Sequence, residues 1–108
     1  MASTSYKDQL NQLEQEQRIM MQRLDRFTRL KQELLIDDIK FIQQARLLKK
    51  TFDEQKLLID SIKNSRGNKG LTGNMVKKER LLVTLMSSVG TELNQLIEDA
   101  DRLAKDLN

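Results

Sequence analysis

The sequence predicts an all-α protein built from long helices. Three observations lead to this prediction: apolar residues recur at alternating steps of four and three, proline is absent, and only four glycines occur in 108 residues. Alternating steps of four and three are the heptad period of helices that pack on other helices. The expected architecture is a single domain, residues 1–108, that forms a long antiparallel helical hairpin (a coiled coil) and completes a multi-helix bundle with other chains.

The first helix is expected over about residues 5–64, a length of roughly 90 Å at 1.5 Å per residue. Ser5 and Asp8 match a capping box at its start, and Gly67 can supply the left-handed residue that ends it. Four of its seam positions are polar. The heptad seam comprises Tyr6, Leu10, Leu13, Gln17, Met20, Leu24, Phe27, Lys31, Leu34, Asp38, Phe41, Ala45, Leu48, Phe52, Gln55, Ile59 and Ile62.

A glycine-rich turn is expected over residues 65–74, where the sequence reads SRGNKGLTGN. A phosphate-binding Walker loop would need the pattern G-x-x-x-x-G-K-[ST] after a strand, and the pattern is absent. The two G-x-x-G spacings are shared with the RNA-clamping loop of KH domains, but that fold needs strands and none is expected. The glycines are therefore interpreted as a hairpin turn.

The second helix is expected over about residues 75–107, with Asn74 as its N-cap. Gly90 is a weak point inside it, because glycine costs about 1 kcal/mol relative to alanine in a helix. One seam position, Glu79, is polar. The seam comprises Met75, Glu79, Leu82, Met86, Val89, Leu93, Leu96, Ala100, Leu103 and Leu107.

The two expected helices differ in length, and this difference suggests a surface for another chain. Folding back at the turn would leave residues 6–30 without a partner inside the chain. A lone amphipathic helix is marginal in water, and its exposed apolar stripe promotes association. The expected seam for a partner helix comprises Tyr6, Leu10, Leu13, Met20, Leu24 and Phe27.

The apolar residues also spread beyond the narrow seam of a two-helix coiled coil, which favours a bundle of three or more helices. The additional apolar positions are Leu30, Leu35, Ile36, Ile39, Ile42, Leu47, Leu81, Val83, Leu85 and Ile97. An alternative architecture accounts for them within one chain: a break near Asp37 would give a self-contained three-helix bundle.

Catalysis is not expected from this composition. Histidine and cysteine are absent, so the usual general base, thiolate nucleophile and soft metal ligand are all missing. We expect no catalytic residues, no cofactor and no metal site. The expected function is that of a non-enzymatic coiled-coil interaction protein, a structural or adaptor subunit that associates with itself or with a helical protein partner. Small subunits of many coiled-coil assemblies have a similar architecture.

The alternative function is sequence-nonspecific binding of nucleic acid or an anionic membrane surface through the basic tip of the hairpin. Base stacking would require aromatic side chains at the tip, but the aromatic residues occupy the seam instead. The possible phosphate contacts are Lys63, Arg66, Lys69, Lys77, Lys78 and Arg80. The first residues lack the pattern of a secretory signal, and a cytoplasmic or nuclear location is expected.

Overall fold

The computed structural model describes residues 6–66 and 73–107, and within these ranges the chain forms three helices and no strand. The helices are α1 (Tyr6–Gln32), α2 (Asp38–Arg66) and α3 (Gly73–Asp106). The all-α class is confirmed, and the alternative architecture, a three-helix bundle with a break near Asp37, is the one observed. The expected turn lies largely outside the described residues.

The expectation of one continuous helix over residues 5–64 is wrong, because the chain reverses at residues 33–37. Leu34 adopts a left-handed conformation, with φ at 58°. The Leu35 amide donates to the carbonyl of Leu30 at 2.8 Å, and the Leu34 amide donates to that of Lys31 at 3.1 Å. This is the Schellman pattern that ends a helix, formed here around a leucine in place of the usual glycine.

Asp37 caps the start of the next helix, α2. Its Oδ1 accepts a hydrogen bond from the backbone amide of Lys40 at 2.8 Å, and its carbonyl accepts from the amide of Phe41 at 2.9 Å. A side-chain oxygen bonded to the third helical amide is the usual N-cap arrangement, and it satisfies a donor that the first turn leaves without a partner. The two caps together explain why α1 and α2 are separate helices.

The helices form an up-down-up bundle. Gln17 on α1 contacts Gln55 on α2, and Lys31 near the end of α1 contacts Asp38 at the start of α2, so these two helices run antiparallel. Tyr6 donates a hydrogen bond to Glu79, which places the first turn of α1 beside the first turns of α3. The molecule measures 52 × 25 × 23 Å, much shorter than the roughly 90 Å expected for a continuous first helix.

A single core runs along the axis of the bundle and contains seam residues from all three helices. Gly90 lies within α3 without interrupting it, and a Cβ at this position would lie 3.2 Å from Cζ of Phe52. The glycine thus allows the Phe52 ring to approach α3 closely. The buried apolar residues are Leu10, Leu13, Met20, Leu24, Phe41, Ile42, Ala45, Leu48, Phe52, Ile59, Ile62, Leu82, Met86, Val89, Leu93, Leu96 and Ala100.

Candidate functional site

The seam expected to contact a partner helix is packed inside the chain itself. Leu10, Leu13, Met20 and Leu24 are buried in the core, while Tyr6 and Phe27 pack against it and are half-buried. The expectation that residues 6–30 have no partner within the chain is therefore wrong. The physical reason is the reversal at residues 33–37, which returns α1 to the apolar faces of α2 and α3.

A groove between α1 and α2 combines buried apolar side chains with an exposed leucine. It has a volume of about 630 Å³. Phe27 and Leu48 lie at its base and belong to the core or pack against it, and Leu47 lies on its wall with 55% of its surface exposed. The residues lining this α1–α2 groove are Arg23, Arg26, Phe27, Leu30, Ile36, Lys40, Gln44, Leu47, Leu48 and Thr51.

Three cations border the α1–α2 groove: Arg23, Arg26 and Lys40, all of them exposed. Within residues 6–66 and 73–107, none of the three lies in an ion pair with a carboxylate. Elsewhere on the same helices cations do pair, as Lys49 does with Asp53 at 2.8 Å. The border of the groove is therefore positively charged and lacks internal neutralisation.

The apolar surface continues from the α1–α2 groove toward the opposite end of these two helices. On α1, Ile19 precedes Arg23, Arg26 and Leu30 at steps of four, three and four, so all four lie on one helix face. Ile19 is 50% exposed. Leu58 on α2 is 47% exposed and lines a smaller depression of about 220 Å³ together with Gln12 and other residues of α1.

The two depressions lie in line along the α1–α2 face. From Gln12 to Leu30 the face extends roughly 27 Å, since a helix rises 1.5 Å per residue. A partner helix of about 18 residues would cover that length. The arrangement is a long shallow channel with apolar side chains along it and positive charge toward one end.

The connection between α1 and α2 exposes further leucine and isoleucine side chains. Leu34 is 83% exposed, Leu35 67% and Ile39 60%. Ile36, by contrast, packs against the core and lines the α1–α2 groove. Leu34 is therefore the most exposed of the seam residues expected for the first helix.

Two further grooves are lined by acidic as well as basic side chains. The groove between α2 and α3, about 430 Å³, includes three lysines at seven-residue intervals, Lys49, Lys56 and Lys63, but also Asp60 and several hydroxyl and amide side chains. The groove between α1 and α3, about 490 Å³, is bordered by carboxylates and cations together, among them Asp25 and Arg29. Neither presents an exposed leucine.

The four possible phosphate contacts whose side chains the structure describes lie on two helices, Lys63 on α2 and the others on α3. Lys63 lies 3.8 Å from Oε1 of Glu79 on α3. Lys77 and Arg80 are exposed, and Lys78 is half-buried. Adjacent residues of a helix point about 100° apart, so Lys77 and Lys78 face different directions. Lys69 and the side chain of Arg66 lie outside the described part of the molecule.

Within the described ranges, no group of three or more histidine, cysteine, aspartate or glutamate side chains is arranged to hold a metal ion. None of the three helices, over their described residues, has an apolar stretch long enough to cross a lipid bilayer. The described surface is instead made of helix faces, and the α1–α2 groove is one that an exposed leucine, Leu47, lines.

Comparison with known proteins found no matching family, no similar curated protein and no similar solved structure.

Several residues of the α1–α2 groove could be recognised in the sequence, but their convergence could not. Leu30, Ile36 and Leu47 already stood out as apolar positions outside the narrow seam, and Arg23 and Arg26 belong to an arginine-rich segment of α1. Only the reversal at residues 33–37 brings α1 beside α2, and it places Leu30 and the two arginines of α1 across one channel from Leu47 of α2.

Proposed function

We propose that this chain is a non-enzymatic helical interaction protein that binds an α-helix of another protein in the α1–α2 groove. It would act as a structural or adaptor subunit, and the bound helix would complete a four-helix bundle. The observation that supports this proposal best is the α1–α2 groove itself, where the half-exposed Leu47 lies above buried apolar residues.

The shape of the groove favours a helix over a small molecule. Small-molecule sites are concave and enclose most of their ligand, whereas this channel is shallow and open along its length. An amphipathic helix binds such a surface by placing its apolar residues, spaced at three and four positions, into successive depressions. The two in-line depressions on the α1–α2 face match that mode.

The charge of the groove indicates what chemistry the partner helix should have. Arg23, Arg26 and Lys40 border the apolar floor without an internal counter-charge among the described residues. A helix with glutamate or aspartate beside its apolar stripe would neutralise them. Such exposed charges mainly determine partner choice and association rate, while apolar burial supplies most of the affinity.

The test is a selection of helical peptides of about 20 residues, long enough to span the groove. Peptides are selected on the wild-type chain and counter-selected on the Leu47→Glu variant. We expect acidic amphipathic sequences that bind the variant at least about tenfold more weakly, because one buried leucine contributes about 1.5–3 kcal/mol.

The matched control is Leu81→Glu, which makes the same change at a leucine that is 66% exposed on α3 and lines none of the grooves described above. Its affinity for the selected peptides should equal that of the wild type. The proposal is contradicted if no peptide distinguishes wild type from Leu47→Glu, or if Leu81→Glu weakens binding equally.

A further inference from the structure

The connection between α1 and α2 combines an unfavourable backbone with a sequence that suits a continuous helix. Leu34 has φ at 58°. A residue with a Cβ is disfavoured in this left-handed region, where glycine is the usual choice. The sequence between the two helices, Glu33 to Asp37, contains neither glycine nor proline, and its glutamate and leucines are good helix formers.

The heptad phase also continues unbroken through this connection. Steps of four and three lead from Phe27 through Lys31, Leu34 and Asp38 to Phe41. If residues 33–37 were helical, the seams of α1 and α2 would form one uninterrupted stripe. In the bent chain Leu34 is 83% exposed, whereas the other four residues of this series are half-buried or buried.

From these observations we propose that two copies of this chain exchange α1, forming a dimer in which residues 33–37 straighten into a continuous helix. Each α1 then packs on α2 and α3 of the second copy through the same contacts that it makes in the monomer. Exchange of an identical element preserves every contact outside the hinge, so the hinge decides between monomer and dimer. A short strained hinge favours exchange.

The contacts that exchange would reproduce are specific. Gln17 would bond to Gln55 of the second copy, and Lys31, which lies 2.6 Å from Asp38 in the monomer, would pair with Asp38 of the second copy. Leu34 would leave its left-handed conformation and lie near the two-fold axis, facing its counterpart. The dimer would lose the Asp37 cap, because that cap exists only where α2 begins at residue 38. The proposal does not depend on what binds the α1–α2 groove.

The chain contains no cysteine, so introduced cysteines report the exchange without interference. One preparation carries Gln17→Cys and a second carries Gln55→Cys. The two preparations are mixed and incubated at a series of protein concentrations up to about 1 mM. This upper limit matches the effective concentration that a short tether gives α1 within its own chain. After oxidation we expect a covalent dimer that joins the two different chains. As a positive control, a chain that carries both cysteines should close an internal disulfide when dilute.

Hinge variants supply a second measurement, the dimer dissociation constant from light scattering. Leu34→Gly should raise it at least about tenfold, because glycine relieves the bent hinge and weakens a straight helix. Asp37→Ala should lower it, since it removes a contact found only in the bent form. The control Leu57→Gly, in the middle of α2, should leave it unchanged.

The proposal is overturned if the chain stays monomeric to about 1 mM and the mixed preparations form no covalent dimer. It is equally overturned if a dimer forms whose dissociation constant is the same for wild type and Leu34→Gly, or whose chains do not cross-link between positions 17 and 55. Those results would assign dimerisation to an outer surface of an intact bundle.

Discussion

At the scale of single residues, the polar positions of the apolar seams explain how the chain selects its fold. Gln17 donates to Gln55, and Lys31 contacts Asp38, so the four polar residues of the first seam pair with each other. Glu79, the polar residue of the α3 seam, accepts from Tyr6 and lies near Lys63. Polar seam residues that pair across helices can fix the register of packed helices.

These pairs could in principle be found in the sequence, since within one chain Gln17 can face Gln55, and Lys31 can face Asp38, only if the chain reverses between them. The sequence alone did not show that these residues pair, because a polar seam residue fits a solvent-exposed opening in a bundle equally well. The pairing of these side chains follows only from the way in which the three helices pack.

The Gln17–Gln55 pair leads to the first prediction. Gln17 is fully buried, and its Oε1 has no hydrogen-bond partner. Gln55→Leu alone should lower the free energy of unfolding by about 1–3 kcal/mol, because it also strands the buried Gln17 amide. Replacing both glutamines with leucine should instead raise it above the wild-type value, since no buried polar group then remains.

Urea unfolding of the two variants and the wild type measures this difference, at a concentration where the chain is monomeric. The single and the double substitution are expected to change the free energy of unfolding in opposite directions. Equal effects of the single and double substitutions would mean that the two side chains do not interact.

At the scale of elements, the sequence identified helices and core faces well but not the end of α1. Asp37 was recognisable as a possible break, and the structure shows it as the N-cap of α2. The other half of the break has no sequence signal, because the left-handed residue is Leu34 and not a glycine. Because the heptad phase is unbroken, the local sequence pattern favoured a continuous helix. Burial of the α1 seam against α2 and α3 outweighs that local preference.

The second prediction concerns this cap. Asp37→Ala should lower the free energy of unfolding by about 0.5–2 kcal/mol, because the amide of Lys40 loses its acceptor. Asp37→Asn should retain most of the stability, since asparagine caps about as well as aspartate. Thermal or urea unfolding of both variants compares them. A loss as large in Asp37→Asn as in Asp37→Ala would indicate that charge, and not the cap, is what Asp37 provides.

At the scale of the whole molecule, closing α1 onto the bundle has two consequences. It buries the seam that would otherwise bind another chain, and it creates the α1–α2 groove from residues of two helices. The sequence correctly indicated that apolar residues exceed the needs of a two-helix coiled coil. It did not indicate that three helices still leave Ile19, Leu47 and Leu58 about half exposed.

The proposed function depends on this incomplete closure. A three-helix bundle that covered all its apolar residues would have no surface for a fourth helix. Ile19, Leu47 and Leu58 are three such uncovered residues on the α1–α2 face, and Arg23, Arg26 and Lys40 border the groove there. The proposed binding site for a partner helix therefore lies between α1 and α2, on the side of the molecule opposite to α3.

Methyl-group NMR of the wild-type chain, titrated with a selected acidic amphipathic peptide, tests this location most directly. We expect the shift changes and the peptide-to-protein contacts to concentrate on Leu30, Ile36 and Leu47, while the methyls of Leu81 and Val83 on α3 stay unchanged. Shift changes centred on α3, or shift changes throughout the core residues that show the bundle opening, would contradict binding in the α1–α2 groove.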